Sequence, residues 1–407
     1  MFVLENEIKP YAWGSRTAFS ELFDLANPNA EPQAELWMGA HPLGPSRLAS
    51  GAADTTLLDL IAREPEAVLG AGVRGSFGDR LPFLLKALAA DAPLSIQAHP
   101  NPEQARRGYE ADDAAGIPLD APQRNYRDRS HKPELLCALT RFEALCGFRT
   151  PRESLLLVSE LGVPELTSLT VPLRSSPDAD GLRGVLSLLF SEGTQRPALV
   201  EAVVSACAKV GPRSVRYARE LAWGGALAAR YPGDVGCVLA LLLNLVVLKP
   251  GEAIFLPAGN LHSYLGGTGV EIMANSDNVL RAGLTPKHVN PSELLRIVDF
   301  RPGPVELVEP TLRGEATKGA VEVVYSTPAS EFELSRLELD GGSWRPQSRR
   351  GPEIVFCTRG EFELGVAGQR VTLERGRSAL FLAADSIYEV AGAGRLFRAQ
   401  VGAVNTT

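Results

Sequence analysis

Residues 251–262, GEAIFLPAGNLH, join a turn, a short apolar run and a second turn that ends on a histidine. Lys249, Pro250, Gly251 and Glu252 carry turn chemistry, because proline presets φ and glycine accepts positive φ without steric cost. Residues 253–256 are apolar and few enough for a buried strand, and Pro257, Ala258, Gly259 and Asn260 turn the chain again. The second turn sets His262 on the next strand, facing inward. A buried imidazole needs a partner, and this layout suits a metal ligand.

Three other stretches gather polar side chains where a strand would bury them. In residues 91–101, DAPLSIQAHPN, alternation puts Ser95, Gln97 and His99 on one face. If that face is dry, each unpaired group costs on the order of 1 to 3 kcal/mol, so a shared ion or a hydrogen-bonded network is expected; an outward polar face is the alternative. In residues 125–148, His131, Lys132 and Glu134 crowd one turn before two apolar runs, and Glu134 sits at the mouth of an apolar strand, where a carboxylate needs a cation. After His262 come Glu271, Asn275, Asp277, Arg281, Lys287 and His288. Such a segment is a wet surface turn or a substrate wall, and loop statistics favour the wet turn. Trp13, Trp37 and His41 read as core residues.

A chain of 407 residues, 45% hydrophobic and 22% charged, is too long for one compact core, which predicts two or three domains. Residues 1–100 read as short strands with one or two helices, and 100–122 as a loop or lid with a short helix over 103–109. Residues 151–229 change to apolar spacing of three and four with stretches ending at glycine, a helical insert. The segments on either side, 1–150 and 230–300, would then form one barrel. A Pro/Gly linker at 301–310 opens the last unit, 301–407, whose short strands suggest a second barrel. There Gly376, Leu382, Ala384 and Ile387 repeat the spacing of Gly251, Pro257, Gly259 and His262, with isoleucine in the histidine position, as in a metal-free copy.

The net charge of -7, from 41 basic and 48 acidic residues without a basic run, argues against nucleic-acid or membrane-surface partners and leaves a phosphorylated ligand to a local cluster of cations. Cys137, Cys146, Cys207, Cys237 and Cys357 form no CxxC pair, which suits free thiols in a reducing compartment. The first residues, MFVLENEIK, lack the apolar core of a signal peptide. The longest apolar run, 235–248, contains Asn244 and falls short of the ~18 residues that a membrane span needs. A soluble, cytoplasmic monomer is the expectation.

The spacing G-x5-P-x-G-x2-H resembles the second conserved motif of the cupin barrels, small double-sheet β-barrels that often hold one metal, although Gly266 stands where many cupins have Asn. Taken together, QAH at 97–99, HKPE at 131–134, PAGNLH at 257–262 and LRAGLTPKH at 280–288 resemble the signatures of the type I phosphomannose isomerases. YAWGS at 11–15 and ELWMGAHP at 35–42 extend the resemblance over nearly the whole chain. It implies a mainly β fold with a catalytic cupin barrel, a degenerate second barrel and an α-helical domain. It also implies one Zn2+ held by Gln97, His99, Glu134 and His262, and a small phosphosugar substrate. An active-site role falls to Arg281, with Lys86, Ser95, His131, Lys132, Tyr264, Glu271, Asp277 and Lys287 around the pocket.

Two imidazoles, one carboxylate and one neutral amide leave a divalent ion with about +1 net charge, a usable Lewis acid for which this N/O set suits zinc. Interconverting mannose 6-phosphate and fructose 6-phosphate moves a proton between C2 and C1 through an enediol, which needs a base, a charge sink and a phosphate clamp. Glu271 and His131 are the candidate bases, and Arg281 and Lys287 the cations for phosphate or enediolate oxygen, with Lys132 completing the cation set. A sugar-phosphate-binding cupin without turnover and a metal-dependent cupin oxygenase remain as alternatives. The cation set weighs against the first, and the small number of histidines against the second.

Overall fold

The computed structural model describes residues 1–49, 55–314 and 319–403, and two large antiparallel sheets form its framework. Among the described residues the first sheet has ten strands and is organised around the long strand His262–Ala274. The second half of that strand pairs with Phe83–Ala90 on one side and Glu134–Ala138 on the other. Its first half pairs instead with Phe142–Phe148 and with Ile96–Ala98. One strand can serve two sets of neighbours because its register shifts between Tyr264 and Gly266. At Gly267, with φ of 119°, a Cβ would lie 2.6 Å from the Arg141 carbonyl oxygen, so the bend requires glycine. The predicted strand at 253–256 forms as Ala253–Leu256 and pairs with Glu134–Ala138.

The second sheet, nine-stranded among the described residues, is built mainly from Ala320–Tyr325, Glu333–Trp344, Glu353–Val366, Ser378–Phe381 and Glu389–Gln400. Phe2–Glu5 and Arg47–Leu48 join it, with Phe2 opposite Leu380. The start of the chain thus pairs with its last third, a crossing that a division at residues 150 and 301 does not contain. The sheets also share a core. Leu85, Leu135 and Ile272 of the first lie in one buried cluster with Leu334, Ile354, Phe356 and Phe397 of the second. Each such side chain contributes roughly 1.5 to 3 kcal/mol by leaving water, which holds the two sheets in a fixed relation.

Helices occupy the stretch between the strands Phe142–Phe148 and Leu243–Leu248, including Pro151–Leu161, Ala179–Phe190, Pro197–Val210 and Ala218–Arg230. Proline at the first helical turn and the side-chain caps of Thr150 and Asp178 explain where several begin. The apolar run 235–248 divides into the helix Gly236–Ala240 and the strand Leu243–Leu248. The first hundred residues hold three helices among those described, Ala18–Phe23, Leu57–Arg63 and Pro65–Phe77. The short helix expected over 103–109 extends over Pro102–Ala114, fixed at its start by a capping box between Asn101 and Gln104. Among the described residues no helix is long and apolar enough to cross a membrane.

Inside the second sheet Arg398 is 2% exposed and binds Glu353 through two hydrogen bonds of 2.8 Å, with Glu322 at 3.0 Å and the Tyr388 hydroxyl donating to Glu353 at 2.6 Å. Ile387, at the spacing position of His262, is 52% exposed and precedes the strand Glu389–Gln400. Arg398→Met is expected to destabilise the protein by about 2 to 4 kcal/mol in urea unfolding, because buried Glu353 and Glu322 lose the cation they share and keep only Arg349 at 3.4 Å and Arg313 at 3.6 Å. An unchanged midpoint would show that the buried pair contributes nothing.

Candidate metal centre and cavity

Three segments far apart in the sequence, which carry Gln97 and His99, Glu134, and His262, are brought together by pairing within the first sheet. Gln97, at the centre of Ile96–Ala98, lies opposite His262 on one side and Arg281 of Leu280–Gly283 on the other. Glu134 opens the strand Glu134–Ala138, opposite Met273 and Leu256. His99 follows its strand directly, and its carbonyl accepts from the Gly259 N–H at 2.8 Å. Gly259 has φ of 78°, and a Cβ there would lie 2.8 Å from the Ile297 carbonyl oxygen. Only glycine lets the turn before His262 pack this closely against the backbone at 297–299.

His99, Glu134 and His262 are buried, with ligand atoms all within 4.8 Å of one another. Nε2 of His99 lies 3.4 Å from one Glu134 oxygen and Nε2 of His262 lies 3.5 Å from the other. The far ring nitrogens are engaged, His99 Nδ1 with the Asn278 carbonyl at 2.7 Å and His262 Nδ1 with the Asn260 carbonyl at 3.0 Å. Such bonds fix the tautomer in which both Nε2 atoms are free to donate to a metal. The Nε2 of His99 is buried with no hydrogen-bond partner in the protein, an orphan that an ion would satisfy. The Gln97 amide reaches to 3.4 Å from His262 Nε2, and half a turn about its last torsion presents the oxygen instead. Burial pushes the His99 imidazole down to about 4, leaving it neutral at pH 7 as a metal ligand must be. Burial pushes Glu134 up, but Lys132 at 2.9 Å and the two histidines more than reverse this, holding it well below the usual carboxylate range.

Beside this cluster lies a cavity of about 880 Å³ whose wall includes Trp13, Trp37, His41, Lys86, Ser95, Gln97, Lys132, Asp277, Arg281 and Lys287. A second cavity of about 480 Å³, lined by Arg124, Arg127, His288 and Asn290, shares Arg281 and Asp277 with it. Burial, reinforced by Arg127, lowers the Arg281 guanidinium from its ordinary value. Burial also lowers Lys287, reinforced by Arg281 and Arg127. The three cations repel one another, a charge arrangement that an anion relieves.

Glu271 and Tyr264 are buried one layer deeper. Lys86 Nζ hydrogen-bonds Glu271 at 3.1 Å and lies 3.6 Å from Glu35, while the Tyr264 hydroxyl donates to Glu271 at 2.8 Å. Burial raises Glu271 above the ordinary value, against the pull of Lys86. Neither Glu271 nor Tyr264 is on the cavity wall; Glu271 meets it through Lys86.

Residues 1–151 match the family described as phosphomannose isomerase type I, catalytic domain. The mannose-6-phosphate isomerase of Escherichia coli K12 is 40% identical over 97% of this chain and 98% of its own length. The chain belongs to the type I phosphomannose isomerase family. The human mannose-6-phosphate isomerase is 35% identical, over 84% of this chain and 82% of its own length. A solved zinc-bound mannose 6-phosphate isomerase superposes with a TM-score of 0.89 at 37% identity, covering 99% of both chains. The apo form from Salmonella typhimurium gives 0.88 at 38% identity, also over 99% of both.

Against this family background, several sequence readings change. His131 does not line either cavity; its Nε2 meets Glu331, beside the second sheet, at 2.6 Å. The segment after His262 is a wall rather than a wet turn, with Ser276 and Asn278 buried and Asp277, Arg281 and Lys287 lining the larger cavity. Trp37 and His41 are buried as expected of core residues, yet both face the cavity, with His41 Nε2 3.3 Å from Asp277. Sequence reasoning passed over Glu35, Asp128 and Asn278. Glu35 accepts from the Trp37 indole at 2.7 Å, and Asn278 bonds the carbonyls of Asp128 and Ser130 at 2.8 Å. The adjacent polar letters of NSDN carried that signal, but a turn of solvated side chains has the same composition.

Proposed function

We propose that this protein is a zinc-dependent aldose-ketose isomerase that interconverts mannose 6-phosphate and fructose 6-phosphate through an enediol. The observation that carries the reading is the convergence of His99, Glu134 and His262, with Gln97, beside a cavity walled by lysines and arginines. The donor set fits zinc by number, charge and softness, and the orphaned His99 nitrogen supports an ion there. Zinc bound there would supply positive charge to the oxygens on which the enediolate charge develops. The two sheets are read as cupin-type barrels, catalytic and degenerate, with residues 151–229 as a helical insert and the single chain as the working unit.

The remaining roles fall to side chains of the chain itself. Lys287 and Arg281 hold the phosphate, since neither side chain has a carboxylate partner among the described residues and both face the cavity. Lys132, bound to Glu134, holds the carboxylate in place and donates toward substrate oxygen. The carbon-bound proton passes to the Lys86–Glu271 pair: Lys86 at the wall accepts it as its own proton moves to Glu271, and the reverse transfer protonates the other carbon. Ser95 and Asp277 face the sugar hydroxyls, and Tyr264 fixes the Glu271 carboxylate.

The direct test is a coupled assay of fructose 6-phosphate formation from mannose 6-phosphate. Lys287→Gln is expected to raise KM about tenfold or more with little change in kcat, the size of one charged hydrogen bond made equally to substrate and transition state. A loss confined to kcat would move the phosphate away from Lys287.

A further inference from the structure

The segment that delivers Lys132 and Glu134 to the site is held from two directions. On one side Asn278 donates to the carbonyls of Asp128 and Ser130, at 2.8 Å each, and Ser276 donates to Asp128. On the other side the hold is His131 Nε2 against Glu331 Oε1 at 2.6 Å, across 200 residues of sequence. Glu331 is itself set by the second sheet. It precedes Phe332 and Leu334, both buried in the core shared by the two sheets, and the carbonyl of its neighbour Ser330 accepts from the Gly402 N–H at 3.1 Å.

We propose that Glu331 is a positioning residue for the isomerisation: through His131 it sets the orientation of Lys132 and Glu134. The side chains of His131 and Glu331 are 26% and 14% exposed, so water competes little for the contact and its geometry is held. The constraint reaches the site because Pro133 follows Lys132. Proline fixes its own φ and confines the preceding residue to extended backbone, so little slack remains between the His131 ring and the first residue of the strand Glu134–Ala138. His131 touches neither cavity and takes no part as a base. The turn that leads into the second sheet thereby contributes one side chain to the geometry of a site built on the first sheet and its loops.

This inference rests on the proposed roles of Lys132 and Glu134, and its test separates the two. Glu331→Ala is expected to lower kcat for mannose 6-phosphate about tenfold and to weaken zinc retention against a competing chelator by a similar factor, as loss of a group that orients a ligand does. KM should stay at its wild-type value. Glu331→Gln, which keeps an acceptor for the His131 N–H, should recover most of both. In a His131→Ala background, Glu331→Ala should have no further effect. Wild-type kcat and zinc retention in Glu331→Ala, additive losses in the double variant, or loss of cooperative unfolding would each overturn the proposal. An inactive wild-type protein with zinc bound would instead overturn the isomerase reading, while zinc retention would still report on Glu331.

Discussion

Glu134→Ala is expected to abolish zinc retention and to lower kcat for mannose 6-phosphate by about a thousandfold or more, the size of losing several kcal/mol of transition-state charge stabilisation. Glu134 is the one carboxylate among the buried cluster and faces both imidazoles, at 3.4 and 3.5 Å. Its removal takes away the negative charge that offsets the ion and leaves Lys132, 2.9 Å from it, without a partner beside the same point. Metal content after dialysis is the first readout and the coupled assay the second. Retention of stoichiometric zinc by the variant would place the ion elsewhere.

Glu271→Gln is expected to lower kcat by a factor of roughly 10² to 10⁴ while leaving zinc bound, the range over which a general base acts. Its pH dependence carries a sign. Burial raises Glu271 above the ordinary 4.5 and Lys86 only partly reverses this, so ionisation is completed only as pH rises beyond that value. A base must be ionised, so the rate should climb with pH on the acid side in the wild type, and that limb should vanish in the glutamine variant. A Glu271→Gln enzyme with wild-type kcat would take Glu271 out of the proton transfer.

Much of the site was legible because local pattern and chemistry agree there. A short apolar strand between two glycine-bearing turns could hardly leave His262 anywhere but at the head of a strand, and alternation placed Gln97 and His99 two apart. What sequence could not supply is the register that sets Gln97 between His262 and Arg281, since no local signal states which strands become neighbours. His131 was misplaced for the same reason. Its partner Glu331 lies 200 residues away, and a histidine beside a lysine and a glutamate reads as part of their cluster until the fold turns its ring outward. The wall at 275–288 was hidden by composition: Ser276, Asp277 and Asn278 are turn formers whether their bonds go to water or, as here, to Asp128 and the backbone around it. The helix Pro102–Ala114 was underestimated at its far end, where Glu110, Asp112 and Asp113 interrupt the apolar spacing that marks a helix in sequence.

The central claim is that one ion, held by residues from separate strands of the first sheet, makes this chain an isomerase. Its most direct test is a titration of zinc into chelator-treated protein, following fructose 6-phosphate formation and bound metal together. The account predicts no turnover in the stripped protein and recovery that rises in step with zinc bound and saturates at a single ion per chain. Full turnover in the stripped protein, or zinc bound stoichiometrically without recovery, would contradict it.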